Sequence, residues 1–333
     1  MVPIVLSAGR LVCAVDAGLG GALTGLWVRA GHLGLAPILR PTPPGVTSPF
    51  ETSLYVLAPW SNRIAGAVFR FDGEEHRLRA NFPDGSAIHG DVLHRPLRIA
   101  DRSPVSVRLV HDSRVVGDSN FPFPYAAELR YELSPSQLEI DLSVTNLGQR
   151  DMPAGCGLHP FFSRRVVSDA DEVRVRAPVS GRYPAKDCIP TGPAVEDAAS
   201  RRLSAGGPLG DPGLDDTFAG FGGLGGGRAV IDWPQSGLRA VLQASRELSH
   251  LVVYTPRCAS GDAALTGREG PASWFCVEPV TMATDAFNLA HRGDAVGETY
   301  GVRVLGPGET LSTRTRIVIE ATPEGPEGPG EPL

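Results

Sequence analysis

The sequence predicts an all-β protein, a large antiparallel sandwich with little helix, and three observations carry that prediction. Apolar residues recur at every second position wherever a period can be read, 40 glycines and 30 prolines punctuate the chain between those runs, and no long stretch combines helical period with caps. The clearest alternation is Ala127, Leu129, Tyr131 and Leu133, followed across Ser134-Pro135-Ser136 by Leu138, Ile140, Leu142 and Val144 with Glu139, Asp141 and Ser143 between them. That pair predicts a β-hairpin. Shorter candidate strands follow at 68–71, 105–110, 173–177, 229–233, 238–243, 251–255, 274–277, 300–304 and 313–320. The Gly/Pro-rich stretches 41–49 and 206–227 read as loops. Many short strands between turns indicate a sandwich or barrel, not a parallel α/β sheet.

With 333 residues and 42% hydrophobic content, the chain can bury a large core. Length alone, at about 150 residues per domain, would allow two domains. All-β sandwiches of this size often form one, so residues 1–321 are expected to be a single domain, and the Pro/Gly/Glu-rich stretch 322–333 a mobile tail. The net charge of −6 and the lack of any Lys/Arg run argue against a nucleic-acid partner. Five widely spaced cysteines with no C-x-x-C pair fit neither a disulfide framework nor a zinc site, and read as reduced thiols. No apolar run has the length of a signal peptide or a membrane span, so a soluble, cytoplasmic protein without a membrane partner is expected. No motif speaks to oligomeric state.

Five segments carry candidate chemistry. In Trp274-Phe275-Cys276-Val277-Glu278-Pro279, strand alternation puts Glu278 on the face of Trp274 and Cys276, with Pro279 expected to end the ladder. A carboxylate buried there would have a raised pKa and could serve as a base; taken alone, it also reads as a strand-end Glu turned to solvent. Gly157-Leu158-His159-Pro160-Phe161-Phe162 sets one histidine among small and aromatic residues, either a proton donor near neutral pH or a satisfied core histidine. Ile88-His89-Gly90 places another in a glycine-bounded turn, where backbone can approach a ligand. Ser61-Asn62-Arg63-Ile64 offers a guanidinium fork that suits sugar hydroxyls, or an ordinary surface arginine. Gly213-Leu214-Asp215-Asp216 offers paired carboxylates as a turn device or as hydroxyl acceptors.

Taken in order, these segments resemble the aldose 1-epimerase (galactose mutarotase-like) family. The resemblance rests on Ser61-Asn62-Arg63-Ile64 with Phe71-Asp72-Gly73, on Ile88-His89-Gly90, and on Thr145-Asn146 with Gly157-Leu158-His159-Pro160-Phe161-Phe162. It continues through Ile189-Pro190-Thr191-Gly192, Gly213-Leu214-Asp215, Val252-Val253-Tyr254-Thr255-Pro256, Phe275-Cys276-Val277-Glu278-Pro279 and Asp285-Ala286-Phe287-Asn288. It covers roughly residues 10 to 320, and the ordered series is far more specific than any one motif. It implies a β-supersandwich with an open cleft and a mutarotase that interconverts the anomers of a free aldose. It further implies Glu278 as base, His159 as acid, His89 as a partner near the ring oxygen, and Arg63, with Asn62, and Asp215 as substrate holders. No cofactor and no metal are implied, and the partner is a monosaccharide. The choice of Asp215 over Asp216 rests on spacing alone, and 257–273 is longer than the turn expected before the glutamate strand. For catalysis the reading requires Glu278 and His159 to face each other across a pocket the width of a pyranose.

Three alternatives stay in view. An epimerase of a phosphorylated or other anionic sugar would need clustered cations, for which Arg164 and Arg165 are candidates. A non-catalytic sugar-binding protein would have lost the acid or the base. A metal-dependent hydrolase would need an H-E-x-x-H or comparable ligand cluster, which the sequence lacks.

Overall fold

In the computed structural model of the chain, residues 3–210, 213–256, 272–292 and 300–322 are described. Two large sheets dominate. The first runs, edge to edge, Ile4–Ala8, Leu11–Asp16, Ala22–Arg29, Leu35–Leu39, Gly157–Ser163, Trp274–Val280, His250–Tyr254, Asp215–Ala219 and Gly181–Arg182, with Leu54–Leu57 pairing both Gly157–Ser163 and Ala22–Arg29. The second runs Arg98–Arg102, Ser106–Asp112, Tyr125–Leu133, Gln137–Asn146, Thr310–Ala321, Leu238–Ala244, Gly227–Trp233, Arg174–Arg176 and Gly207–Pro208. Neighbouring strands in both sheets are antiparallel, and the hairpin read at 127–144 is the pair Tyr125–Leu133 and Gln137–Asn146.

The core lies between the sheets. Leu11, Cys13 and Leu26 from one, and Leu129, Tyr131 and Leu142 from the other, belong to one buried apolar cluster, where each large side chain contributes about 1.5–3 kcal/mol. The Tyr131 hydroxyl donates to the Gly21 carbonyl at 2.8 Å, and the Trp233 indole donates to the Ser163 carbonyl at 2.8 Å, so the buried polar tips are satisfied across the interface.

Helix is scarce, as the sequence predicts. Ala198–Ala205, with an Asp197/Ser200 capping box, and Ala286–Arg292 are the longest helices among the described residues. Two local expectations need correction. The segment 206–227 is not all loop, because Asp215–Ala219 pairs with His250–Tyr254 inside the first sheet. Pro279 does not end its strand, which continues to Val280 with Leu251 opposite Pro279 and His250 opposite Val280. The unusual loop expected at 257–273 lies outside the described residues up to position 271, and so does the tail beyond Thr322.

The missing proline N–H is accommodated on the other side of that strand. Pairing with Gly157–Ser163 is present at Gly157 with Val280 and again from Phe161 with Cys276, but is interrupted between, where Pro160 and Pro279 lie. On its other edge Gly157–Pro160 pairs with Leu54–Leu57. The flanking pairs put His159 directly opposite Glu278.

Candidate active site

Strand alternation builds the site. Phe275 and Val277 point into the core between the sheets, so Trp274, Cys276 and Glu278 point to the opposite face of the first sheet, as do His159 and Phe161 beside Leu158 and Phe162. Register then groups these side chains into two rows. Tyr55 lies opposite His159, His159 opposite Glu278, and Glu278 opposite Val252; one step along, Phe161, Cys276, Tyr254 and Asp215 follow one another. Phe50 on a 3-10 turn, Phe82 on a loop, and Asn62, Arg63, Ile88 and His89 on and beside the short strand pair Arg63–Ile64 and Ala87–Ile88 cover these rows and bound a cavity of about 210 Å³. That is below the roughly 300–1,000 Å³ usual for drug-sized ligands, and suits a smaller, polar molecule.

The six residues singled out in the sequence, Asn62, Arg63, His89, His159, Asp215 and Glu278, all line this cavity. His159 Nε2 lies 3.2 Å from Glu278 Oε1, with both side chains buried. The pair therefore touches, and does not stand a sugar's width apart. Neighbouring groups can serve the anomeric hydroxyl and the ring oxygen, which are bonded to the same carbon. The His159 ring is held between Tyr55 and Phe161, at centroid distances of 4.6 and 4.5 Å. Glu278 Oε2 and His89 Nδ1 are buried with no hydrogen-bond partner among the described residues. Buried polar atoms of this kind are costly unless a ligand or water completes them.

The surrounding electrostatics favour neutral groups. Burial, reinforced by Asp215 and opposed by Arg63, raises the Glu278 carboxyl well above its ordinary range. Burial, then His89 and Arg40, depresses His159. Both shifts favour the uncharged forms, a protonated carboxyl and a neutral imidazole. His89 is pushed down to about 3 by burial, then by Arg63 and His94, and is a neutral imidazole.

Arg63 is aimed by its neighbours. Its Nε donates to Asp84 at 2.9 Å, its Nη1 to Asn62 at 3.3 Å, and its Nη2 lies 3.7 Å from Asp215. Asn62 (φ 54°) and His89 (φ 65°) both occupy the left-handed region, a strained conformation for residues with a Cβ and one that concentrates at functional sites. Gly90 sets the position of His89: a Cβ there would lie 2.1 Å from the Ala58 carbonyl oxygen. The Asp285-Ala286-Phe287-Asn288 element supports this turn from behind. Asp285 accepts from the Ala65 amide at 3.0 Å, and its own amide donates to the Arg63 carbonyl at 2.9 Å.

Asp215, and not Asp216, faces the cavity; Asp216 pairs with Arg182 at 3.2 Å. Arg164 and Arg165 do not line it, and among the described residues the cations that do are Arg63 and Arg40. Arg40, missed in the sequence, sits over the Phe161 ring at 3.5 Å and donates to the Thr52 and Phe50 carbonyls. Tyr55 was missed as well; it stands in the fully buried run Leu54–Leu57, where no alternation marks one face. The only signal for Arg40 is a charge at the end of an apolar strand. The described cysteines Cys13, Cys156, Cys188 and Cys276 are free thiols, and ligand atoms of His159, Cys276 and Glu278 lie within 4.8 Å of one another.

The antiparallel two-sheet sandwich is the fold of galactose mutarotase-like proteins. A galactose mutarotase-like protein from Clostridium acetobutylicum superimposes with a TM-score of 0.80 at 21% identity, covering 96% of this chain and 95% of that one. The GalM/aldose epimerase homologue from C. elegans superimposes with a TM-score of 0.75 at 15% identity, covering 96% and 99%. Both likenesses concern the fold. The sequence profile of aldose 1-epimerase matches residues 3–317, and the chain belongs to the aldose 1-epimerase family, whose members are of isomerase type. The uncharacterized protein YphB of Escherichia coli K12 is 26% identical over 306 residues, 90% of this chain and 93% of that protein. No helix among the described residues is long and apolar enough to cross a membrane.

Proposed function

We propose that the protein is a mutarotase, interconverting the α and β anomers of a free aldose by acid–base ring opening. The observation that supports this most directly is the buried His159–Glu278 contact of 3.2 Å in a small cavity ringed by hydrogen-bonding groups. One member of the pair takes the anomeric proton while the other gives a proton to the ring oxygen; the open aldehyde then rotates about its C1–C2 bond and closes with the roles reversed. Glu278 is assigned as acceptor and His159 as donor, a proton distribution opposite to the one that burial favours in the free site. Arg63, Asn62 and Asp215 hold sugar hydroxyls, and His89 lies beside His159, with ring centroids 5.1 Å apart. No step needs an electron carrier or a metal.

The test is polarimetry and anomeric-proton exchange NMR on a panel of free aldoses and sugar phosphates. Glu278→Gln and His159→Ala should each fold and lose at least about a hundredfold in rate, the lower end for one acid–base group. Full activity in Glu278→Gln would remove the carboxylate from the chemistry. Binding of a sugar by calorimetry without any acceleration of its mutarotation would make the protein a receptor.

A further inference from the structure

We infer that His159, Cys276 and Glu278 form a binding site for a soft divalent cation such as Zn²⁺, and that occupation of this site switches off the proton chemistry proposed above. The inference rests on that reading for its inhibitory half only.

Three observations carry it. The ligand set mixes nitrogen, sulfur and oxygen, the donor types zinc takes, and its atoms lie within 4.8 Å of one another. All three residues are buried, on two strands whose register is fixed, so little ordering is needed to assemble them. Glu278 Oε2 is buried without a hydrogen-bond partner, a carboxylate oxygen that a cation would satisfy. A tetrahedral zinc with bonds of about 2.0–2.3 Å holds its ligands about 3.3–3.8 Å apart, so the Cys276 thiol must approach by about 1 Å. His159 and Glu278 line the cavity, from which a cation and any further ligand would reach the site.

Coordination takes a neutral imidazole, a carboxylate and a thiolate, whose two negative charges offset the dication, and any proton these groups carry is released to solvent. The metal occupies the nitrogen and oxygen lone pairs that move the proton, so metal binding and acid–base catalysis exclude each other.

The full chain is titrated with Zn²⁺ by calorimetry and with Co²⁺ by absorption spectroscopy. The expected result is one bound ion and a thiolate-to-cobalt band in the near ultraviolet, present in wild type and Cys188→Ala and absent in Cys276→Ala. Because loss even of an outer-shell partner costs about tenfold or more in affinity, Cys276→Ala should bind zinc at least that much more weakly. Cys276→Ser, closer in size, keeps the comparison if the alanine variant melts early. Zn²⁺ should suppress mutarotation in wild type, a chelator should restore it, and Cys276→Ala should turn over in the presence of zinc. A cobalt spectrum without the thiolate band, or a band that survives in Cys276→Ala, overturns the site. Zinc bound through Cys276 with mutarotation unaffected overturns the inhibitory half. A Cys276-dependent band in a protein that turns over no sugar supports the metal site and counts against the mutarotase reading alone.

Discussion

Replacing His89 by asparagine should make the fold measurably less sensitive to acid. His89 is buried against Phe50, Tyr55 and His159, and its pKa falls from 6.5 to about 3, through burial first and then through Arg63 and His94. Between those two values the unfolded chain binds a proton that the folded chain refuses, so folding stability is complete above pH 6.5 and declines as the pH drops toward 3. At pH 5.0 the unfolded histidine lies 1.5 units below its own pKa, a loss of about 2 kcal/mol at 1.36 kcal/mol per unit. Asparagine tolerates the positive φ at this position better than most side chains and does not titrate. Urea unfolding followed by tryptophan fluorescence, at pH 7.5 and 5.0, gives the stability lost on acidification. That loss should be about 2 kcal/mol smaller in His89→Asn than in wild type. His111, depressed in both proteins, cancels in the comparison, whereas His94 and His159, which are coupled to His89, cancel only in part. An identical pH dependence in the two proteins would mean that His89 is solvated or charged in the folded state.

Arg63→Ala should raise the KM for the sugar about tenfold or more with a smaller fall in kcat, because a holder contributes to ground-state as well as transition-state binding; unchanged saturation kinetics would take Arg63 out of the site. Asp215→Ala should behave likewise, whereas Asp216→Ala, whose carboxylate engages Arg182, should leave KM alone, and steady-state kinetics on the two variants separates them. Gly90→Ala should cost more than about 2 kcal/mol in urea unfolding, since its Cβ would lie 2.1 Å from the Ala58 carbonyl oxygen at a φ of 86°; wild-type stability would show that the turn is free to move.

Strands were legible in the sequence where one face meets water. Tyr125–Leu133 and Gln137–Asn146 alternate between buried and half-buried positions along their whole length, and were read with their turn. Strands covered on both faces carry no such period. Leu11–Asp16 is buried except at Asp16, and Leu54–Leu57 and Gly157–Ser163 are buried throughout, so composition gave them no signature. Asp215–Ala219 was hidden by glycine-rich flanks that dominate any local window. The helix Ala286–Arg292 spans seven residues, too few for a helical period to emerge. The cavity residues were legible only as a series of short motifs, since each alone also reads as core, turn or surface. Arg40 and Tyr55 escaped because they sit at the end of, and inside, apolar runs.

The division of labour in the site follows from what positions each residue. His159 and Glu278 are cross-strand partners in the interior of a sheet, so their contact is a property of register, and a slip of one residue would send both into the core. The two prolines that interrupt the ladder between them, Pro160 and Pro279, remove backbone donors where the side chains meet without ending either strand. Asn62 and His89 sit instead on positive-φ backbone flanking the short antiparallel pair Arg63–Ile64 and Ala87–Ile88, which Gly90 and, from behind, Asp285 hold in place. Asn62, Arg63 and His89 hold the sugar from outside the two strands that carry the acid–base pair. Substitutions at these residues should therefore change which sugar is held and how tightly, and substitutions on the two strands should change whether the proton moves.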